Sequence, residues 1–259
     1  MAGNGSIDGT DPAAVADAVA IPVLEYGRGW MAAPTTAARA RDLGFDNPFG
    51  IWVNGRAGAM GDVTADVAAA AIGFMAPDLV RTLWNGRPEG LTPAGTAMAY
   101  AEAAADWGRE TLADVPSADL ERLAQLCHRV AEAAQPSVGA LFAGWRTLAR
   151  PEDPAGRATV VLNVLRELRG GAHLSAVQAV GLGPHGAIMA APDPVRGGPA
   201  GAERFGWPEP HPAVDHERRA EAERLTTVIC APAFASLGEA EGRELIELVT
   251  AARAALGDG

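Results

Sequence analysis

Arg166, Arg169 and His173 stand at offsets of 0, 3 and 7 in an otherwise apolar, helix-patterned stretch from Asn163 to Ala176. Groups at these offsets share one helix face, provided the helix runs through Gly170-Gly171. Polar groups on a face that should be packed must find partners, either inside the protein or on a ligand. An arginine fork suits a carboxylate or phosphate, and a histidine orients a ligand or exchanges a proton near neutral pH. Arg166 and Arg169 are therefore candidate binding residues and His173 the candidate catalytic group. Arg56 is expected nearby, with Trp52, Phe74 and Trp84 as an apolar wall. A structural alternative pairs the two arginines with carboxylates such as Glu167 or Glu221 and makes His173 a satisfied helix-end histidine.

Other chemistry-bearing patterns are weaker. Gly181-Leu182-Gly183-Pro184-His185-Gly186 is a literal GxGxxG. A dinucleotide site needs a strand before it, a helix after it and an acidic residue about 20 positions on; a Pro-rich stretch follows here instead, and Pro184 removes one amide. The same residues fit a helix-turn-helix: Ala172 to Val180, a glycine turn, then Pro184 to Ala191. That second helix holds no Arg, Lys, Asn or Gln, so it is poorly equipped to read a major groove. Cys127 and His128 point about 100° apart on a helix and do not pair as thiolate and imidazolium. His211, Asp215 and His216 lack a fourth ligand for zinc, and no metal site is expected. Ser175 has neither a nucleophile elbow nor an evident acid partner.

Composition narrows the functional classes. The 259 residues are 48% hydrophobic and 20% charged, as in a globular protein. All 21 basic residues are arginine, which excludes Schiff-base lysine chemistry and a P-loop lysine. A net charge of −11 works against sequence-independent phosphate-backbone binding, so no nucleic-acid partner is expected. The two cysteines read as buried thiols. Neither a signal peptide nor an apolar run of membrane-spanning length is seen, and a cytoplasmic protein without a membrane partner is expected. The cofactor is not legible, and a homodimer is left open.

The elements that must position these groups read as helices. Residues 1–11 form a loose tail and 12–259 a single all-α domain, with a subdivision near 150 as an alternative and a helix-turn-helix-like unit at 154–191. Helices are expected from Pro12 to about Met31 with an interruption at Pro22, and at 34–44, from Asn47, 63–74 and 76–84. Thr92-Pro93 opens a helix to about Ala113, and Ser117 one to Ala134. Shorter helices follow at 138–148 and 154–169, and two strong ones at 213–233 and 238–256. The only strand-like run is Ala158 to Leu162. Beyond Ala191, seven prolines between 184 and 212 and Gly197-Gly198 predict a long irregular loop.

Several blocks carry a family resemblance: Gly55 to Gly61, Ala76 to Val80, Leu165 to His173, Arg204-Phe205-Gly206-Trp207, and Glu223-Arg224-Leu225-Thr226 with Ala233 to Leu237. On these the chain resembles the actinobacterial SalK-like helix-turn-helix proteins over most of residues 14–256. Arg56, Arg166, Arg169 and His173 match. Leu24 replaces a histidine of that pattern, Gly73-Phe74-Met75 an aromatic-Asn-Phe step, and Gly171 an acidic residue. The resemblance implies a helix-turn-helix fold and names no chemistry. The function expected is binding of a small molecule, with enzymatic turnover undecided, in specialised or auxiliary metabolism. A transcriptional regulator and a structural or partner-binding protein are the alternatives.

Overall fold

The computed structural model describes residues 11–193 and 195–257, and among these every regular element is helical. Prolines and small polar caps write most of the helix starts. Asp11, Asn47, Thr92 and Asp153 each accept a first-turn amide ahead of a proline at the helix start, opening α1 (Pro12–Ala32), α3 (Pro48–Ala57), α6 (Pro93–Thr111) and α9 (Pro154–Ala179). Asp11 thus belongs to a cap rather than to the expected tail, whose other residues lie outside those described. The series is completed by α2 (Pro34–Asp42), α4 (Ala65–Ile72), α5 (Pro77–Asn85), α7 (Ser117–Ala133), α8 (Ala140–Trp145), α10 (Gly183–Met189), α11 (Gly198–Arg204), α12 (His216–Phe234) and α13 (Glu239–Ala254).

Helix α9 is the axis. It packs against α1, α6, α7, α8, α10 and α12, helices from both sides of residue 150. This surround explains its sequence. The strand-like Ala158-Thr159-Val160-Val161-Leu162 is buried throughout, as in a helix covered on all sides. The helices expected at 154–169 and 172–180 are one helix of 26 residues that runs through Gly170-Gly171. Gly171 is there for close approach: a Cβ would lie 2.7 Å from the Val138 carbonyl oxygen and 2.8 Å from the Gly139 Cα. Gly170 faces open space, with the Glu167 carboxylate 3.9 Å from where its Cβ would be.

Two further expectations are corrected. Helix α1 continues through Pro22, because Val19, Val23, Tyr26 and Trp30 bury one stripe against the core on both sides of the proline. The lost hydrogen bond is outweighed by that burial. The Pro-rich stretch after Ala191 is also less irregular than expected. It contains α11, and it is pinned across the molecule. The Ala76 amide donates to the Phe205 carbonyl at 2.8 Å, and the Trp207 indole donates to the Phe74 carbonyl at 3.1 Å. His185 stacks on Trp207 with centroids 4.8 Å apart.

The turn between α9 and α10 places Gly181 and Gly183 at φ of 70° and 69°, a conformation other residues rarely adopt. Val177, upstream of this GxGxxG, is in the last turns of α9 and no strand precedes the glycines. In α10, Gly186 to Met189 are buried against α9 and α11. No described helix is long and apolar enough to cross a membrane.

Candidate functional site

The face of α9 that carries Arg166, Gly170 and His173, together with Arg169, opens on a cavity of about 540 Å³. Helix α3 contributes Trp52 and Arg56 to the same space, the α4–α5 link contributes Phe74, and α10 contributes Ala187 and Ile188. Six of the seven residues expected at the site therefore line one cavity. Trp84 does not. It is buried on α5 in a separate apolar cluster with Val53, Met75 and Val80, with the Arg87 guanidinium 5.1 Å from its ring. On an amphipathic helix packed against α3 and α4, the tryptophan takes the core face.

Arg56 and Arg166 share one carboxylate. Glu167 has a side chain only 1% exposed and receives both forks of Arg56 at 2.8 Å, plus Arg166 Nη1 at 3.0 Å. Burial alone would raise the Glu167 pKa, but the two guanidinium groups outweigh it and hold the carboxyl below its usual range. Burial opposes the charge on Arg56 too, yet its bidentate pairing with Glu167 raises its pKa. Arg166 is less well provided for. Burial and repulsion from Arg56 outweigh the pull of Glu167 and lower its pKa to about 10, and its Nε has no partner among the described residues. It remains charged at neutral pH. Gly27 on α1 makes room for this side chain, since a Cβ there would lie 2.5 Å from Arg166 Cδ.

Across the cavity, Glu223 on α12 holds Arg169 at 2.5 Å and also pairs with Arg219. The carboxylate expected for this role, Glu221, instead pairs with Arg224 at the surface. His173 lies inside the long helix, more than a turn before its last residue, and not at a helix end. The Thr226 hydroxyl donates to the Ala222 carbonyl at 2.6 Å, so it accepts from His173 Nδ1 at 2.8 Å. That fixes the proton on Nδ1 and leaves the Nε2 lone pair free, 3.9 Å from the Glu223 carboxylate. Burial, with repulsion from Arg169 and Arg219, outweighs the attraction of Glu223 and lowers the His173 pKa to about 4. The imidazole is neutral at pH 7. Phe74 stacks on it with centroids 5.5 Å apart, and the Arg56 guanidinium lies 4.4 Å from the Trp52 ring centroid.

Four lining arginines had no signal in the local spacing: Arg28 on α1, Arg196 and Arg204 from the Pro-rich stretch, and Arg219 on α12. Seven arginines thus meet Asp193, Glu167 and Glu223, leaving four positive charges in excess inside a chain of net −11. The arrangement can bind anions, and it offers one neutral hydrogen-bond acceptor beside them.

The remaining sequence candidates lie elsewhere. His211 bonds His185 at 3.1 Å and Asp215 caps α12. Among the described residues no group of three or more His, Cys, Asp or Glu could hold a metal ion. Cys127 and Cys230 are buried and unpaired, and burial pushes both thiols up, Cys230 to about 11. His128 and Ser175 are exposed.

No curated protein and no solved structure matches the chain. A model described as a helix-turn-helix family matches residues 29–218, a span that includes α9, the glycine turn, α10 and all but three of the residues that line the cavity. The chain belongs to that helix-turn-helix family.

Proposed function

We propose that the protein binds a small anionic molecule with an apolar body in the cavity between α3, α9, α12 and the Pro-rich stretch. The observation that carries this is the excess of four positive charges at a cavity of about 540 Å³ in an acidic protein. Arg166 is largely buried and Arg196 half-buried, and cations short of partners in such places are unfavourable unless a ligand neutralises them. Trp52, Phe49, Phe74 and Ile72 supply an apolar wall, the usual complement to a few fixed polar groups in a ligand pocket. With its proton held on Nδ1 and a pKa near 4, His173 fits the role of orienting a ligand hydroxyl or amide better than that of exchanging a proton at pH 7. The blocks shared with SalK-like actinobacterial proteins favour a place in specialised or auxiliary metabolism.

The test is the native mass and absorbance of the purified protein. A noncovalent adduct released on denaturation, anionic and of small-molecule size, is expected at one per chain. Protein free of adducts that also fails to bind any aromatic anion contradicts the reading.

Family membership favours a second reading, a DNA-binding regulator. Against it, α10 spans seven residues, carries no Arg or Lys, and turns Ala187 and Ile188 into the cavity. A sequence-selective gel shift with duplex DNA at moderate salt would favour the regulator.

A further inference from the structure

One end of the cavity is far more cationic than the α9 residues alone make it. Arg28 reaches in from α1 and pairs with Asp193 at 3.1 Å. The other oxygen of Asp193 accepts the amides of Val195 and Arg196, both at 2.9 Å, which ties the start of the Pro-rich stretch down at this point. The half-buried Arg196 then lies close enough to Arg28, Arg204 and Arg166 for the charges to repel. Neither Arg196 nor Arg204 has an ion pair or a side-chain hydrogen bond among the described residues. Four guanidinium groups from three separate parts of the chain thus line this one cavity around Arg196, and their ion-pair partners among the described residues are Asp193 and a share of Glu167.

Carboxylates at this cavity take two guanidinium groups each, Arg56 and Arg166 on Glu167 and Arg169 and Arg219 on Glu223. Four forks suit an acceptor with more oxygens and more charge. A phosphoryl group offers three acceptor oxygens and about −1.5 to −2 charges at neutral pH, and a diphosphate offers more of both. We infer that the cavity takes a phosphorylated small molecule, a phosphate or diphosphate ester. Its phosphoryl end sits among Arg28, Arg166, Arg196 and Arg204, and its apolar body lies against Trp52 and Phe49. This rests on the reading of the cavity as an anion site and adds the class of anion. It also gives the Pro-rich stretch a task, since two of the four ligating arginines come from it.

Isothermal titration of the full chain with pyrophosphate, inorganic phosphate, phenyl phosphate, benzoate and succinate at matched ionic strength tests the assignment. Phenyl phosphate is expected to bind at one site per chain at least about tenfold more tightly than benzoate, and pyrophosphate more tightly than succinate by a similar factor. Binding of pyrophosphate more tightly than inorganic phosphate points to a diphosphate ester, and the reverse to a monoester. Arg196→Gln and Arg204→Gln should each weaken phosphate binding about tenfold or more. Neither arginine holds an ion pair, so both variants should melt no lower than the parent, which separates lost binding from lost folding. Carboxylates that bind as tightly as their phosphate counterparts, unaffected by either substitution, overturn the phosphoryl assignment and leave the anion cavity standing. If none of the five anions binds, both the assignment and the anion reading fall.

Discussion

Replacing Arg56 and replacing Arg166 should have very different consequences, although both touch Glu167. Arg56→Met removes two charge-assisted bonds of 2.8 Å from a carboxylate whose side chain is 1% exposed. Breaking a buried pair by deleting one partner costs about 3–5 kcal/mol, and Arg166 remains to offset part of it, so about 3 kcal/mol is expected. For a chain of this size each kcal/mol moves the melting temperature by roughly 2–4 °C, giving a drop of roughly 6–12 °C. Arg166→Gln leaves the bidentate pair intact. It loses one bond of 3.0 Å but relieves repulsion from Arg56 and Arg196 and the burial of a poorly partnered cation. The net cost should be no more than about 1 kcal/mol, or less than about 4 °C. Differential scanning calorimetry of the two variants decides it. Equal drops, or a larger one for Arg166→Gln, would refute the division of labour in which Arg56 neutralises Glu167 and Arg166 is kept for a ligand.

Further outcomes follow from the same geometry. His173 has a folded pKa near 4, below its usual 6.5, so it contributes stability that is complete above about pH 6.5 and is lost as pH falls towards 4. The full difference is on the order of 3 kcal/mol. Subtracting the stability-against-pH curve of His173→Asn from that of the parent should leave a slope confined to this window, and a flat difference would show the histidine to be ordinarily solvated. Adjacent glycines should respond with opposite signs to alanine. Gly171→Ala meets the Val138 carbonyl at 2.7 Å and should lose about 1–3 kcal/mol, whereas Gly170→Ala meets nothing closer than 3.9 Å and should gain up to about 1 kcal/mol in urea denaturation. Matching signs would mean that α9 does not approach the 138–139 backbone as described.

Much of the fold is legible in the sequence because its helix starts are local signals: a capping side chain followed by proline leaves little choice of where α3, α6 and α9 begin. What misleads is also local. Gly170-Gly171 and Pro22 look like breaks, and only the neighbours that pack on α9 and α1 show why the helices run on. The offsets of Arg166, Arg169 and His173 suffice to place them together once that continuity holds, and Arg56, Trp52 and Phe74 join them. Trp84 shows the limit of residue type as a guide, since a large aromatic serves a core as readily as a pocket. Arg28, Arg196 and Arg204 carry no spacing that links them to α9. Their convergence is tertiary, created where the Asp193 turn meets α1.

The central claim is that the cavity beside Gly170 is an anion-binding site, and narrowing it is the direct test. Anilinonaphthalene sulfonate, an aromatic anion, can be titrated into the parent, Gly170→Leu and Arg204→Gln while its fluorescence is followed. Gly170 points into open cavity, so the leucine should occupy that space without unfolding a helix in which leucine is favoured. One saturable site in the parent is expected, weakened by salt, and weakened further both by Arg204→Gln and by Gly170→Leu at an undiminished melting temperature. Unchanged binding in the leucine variant would place the anion elsewhere and contradict the account.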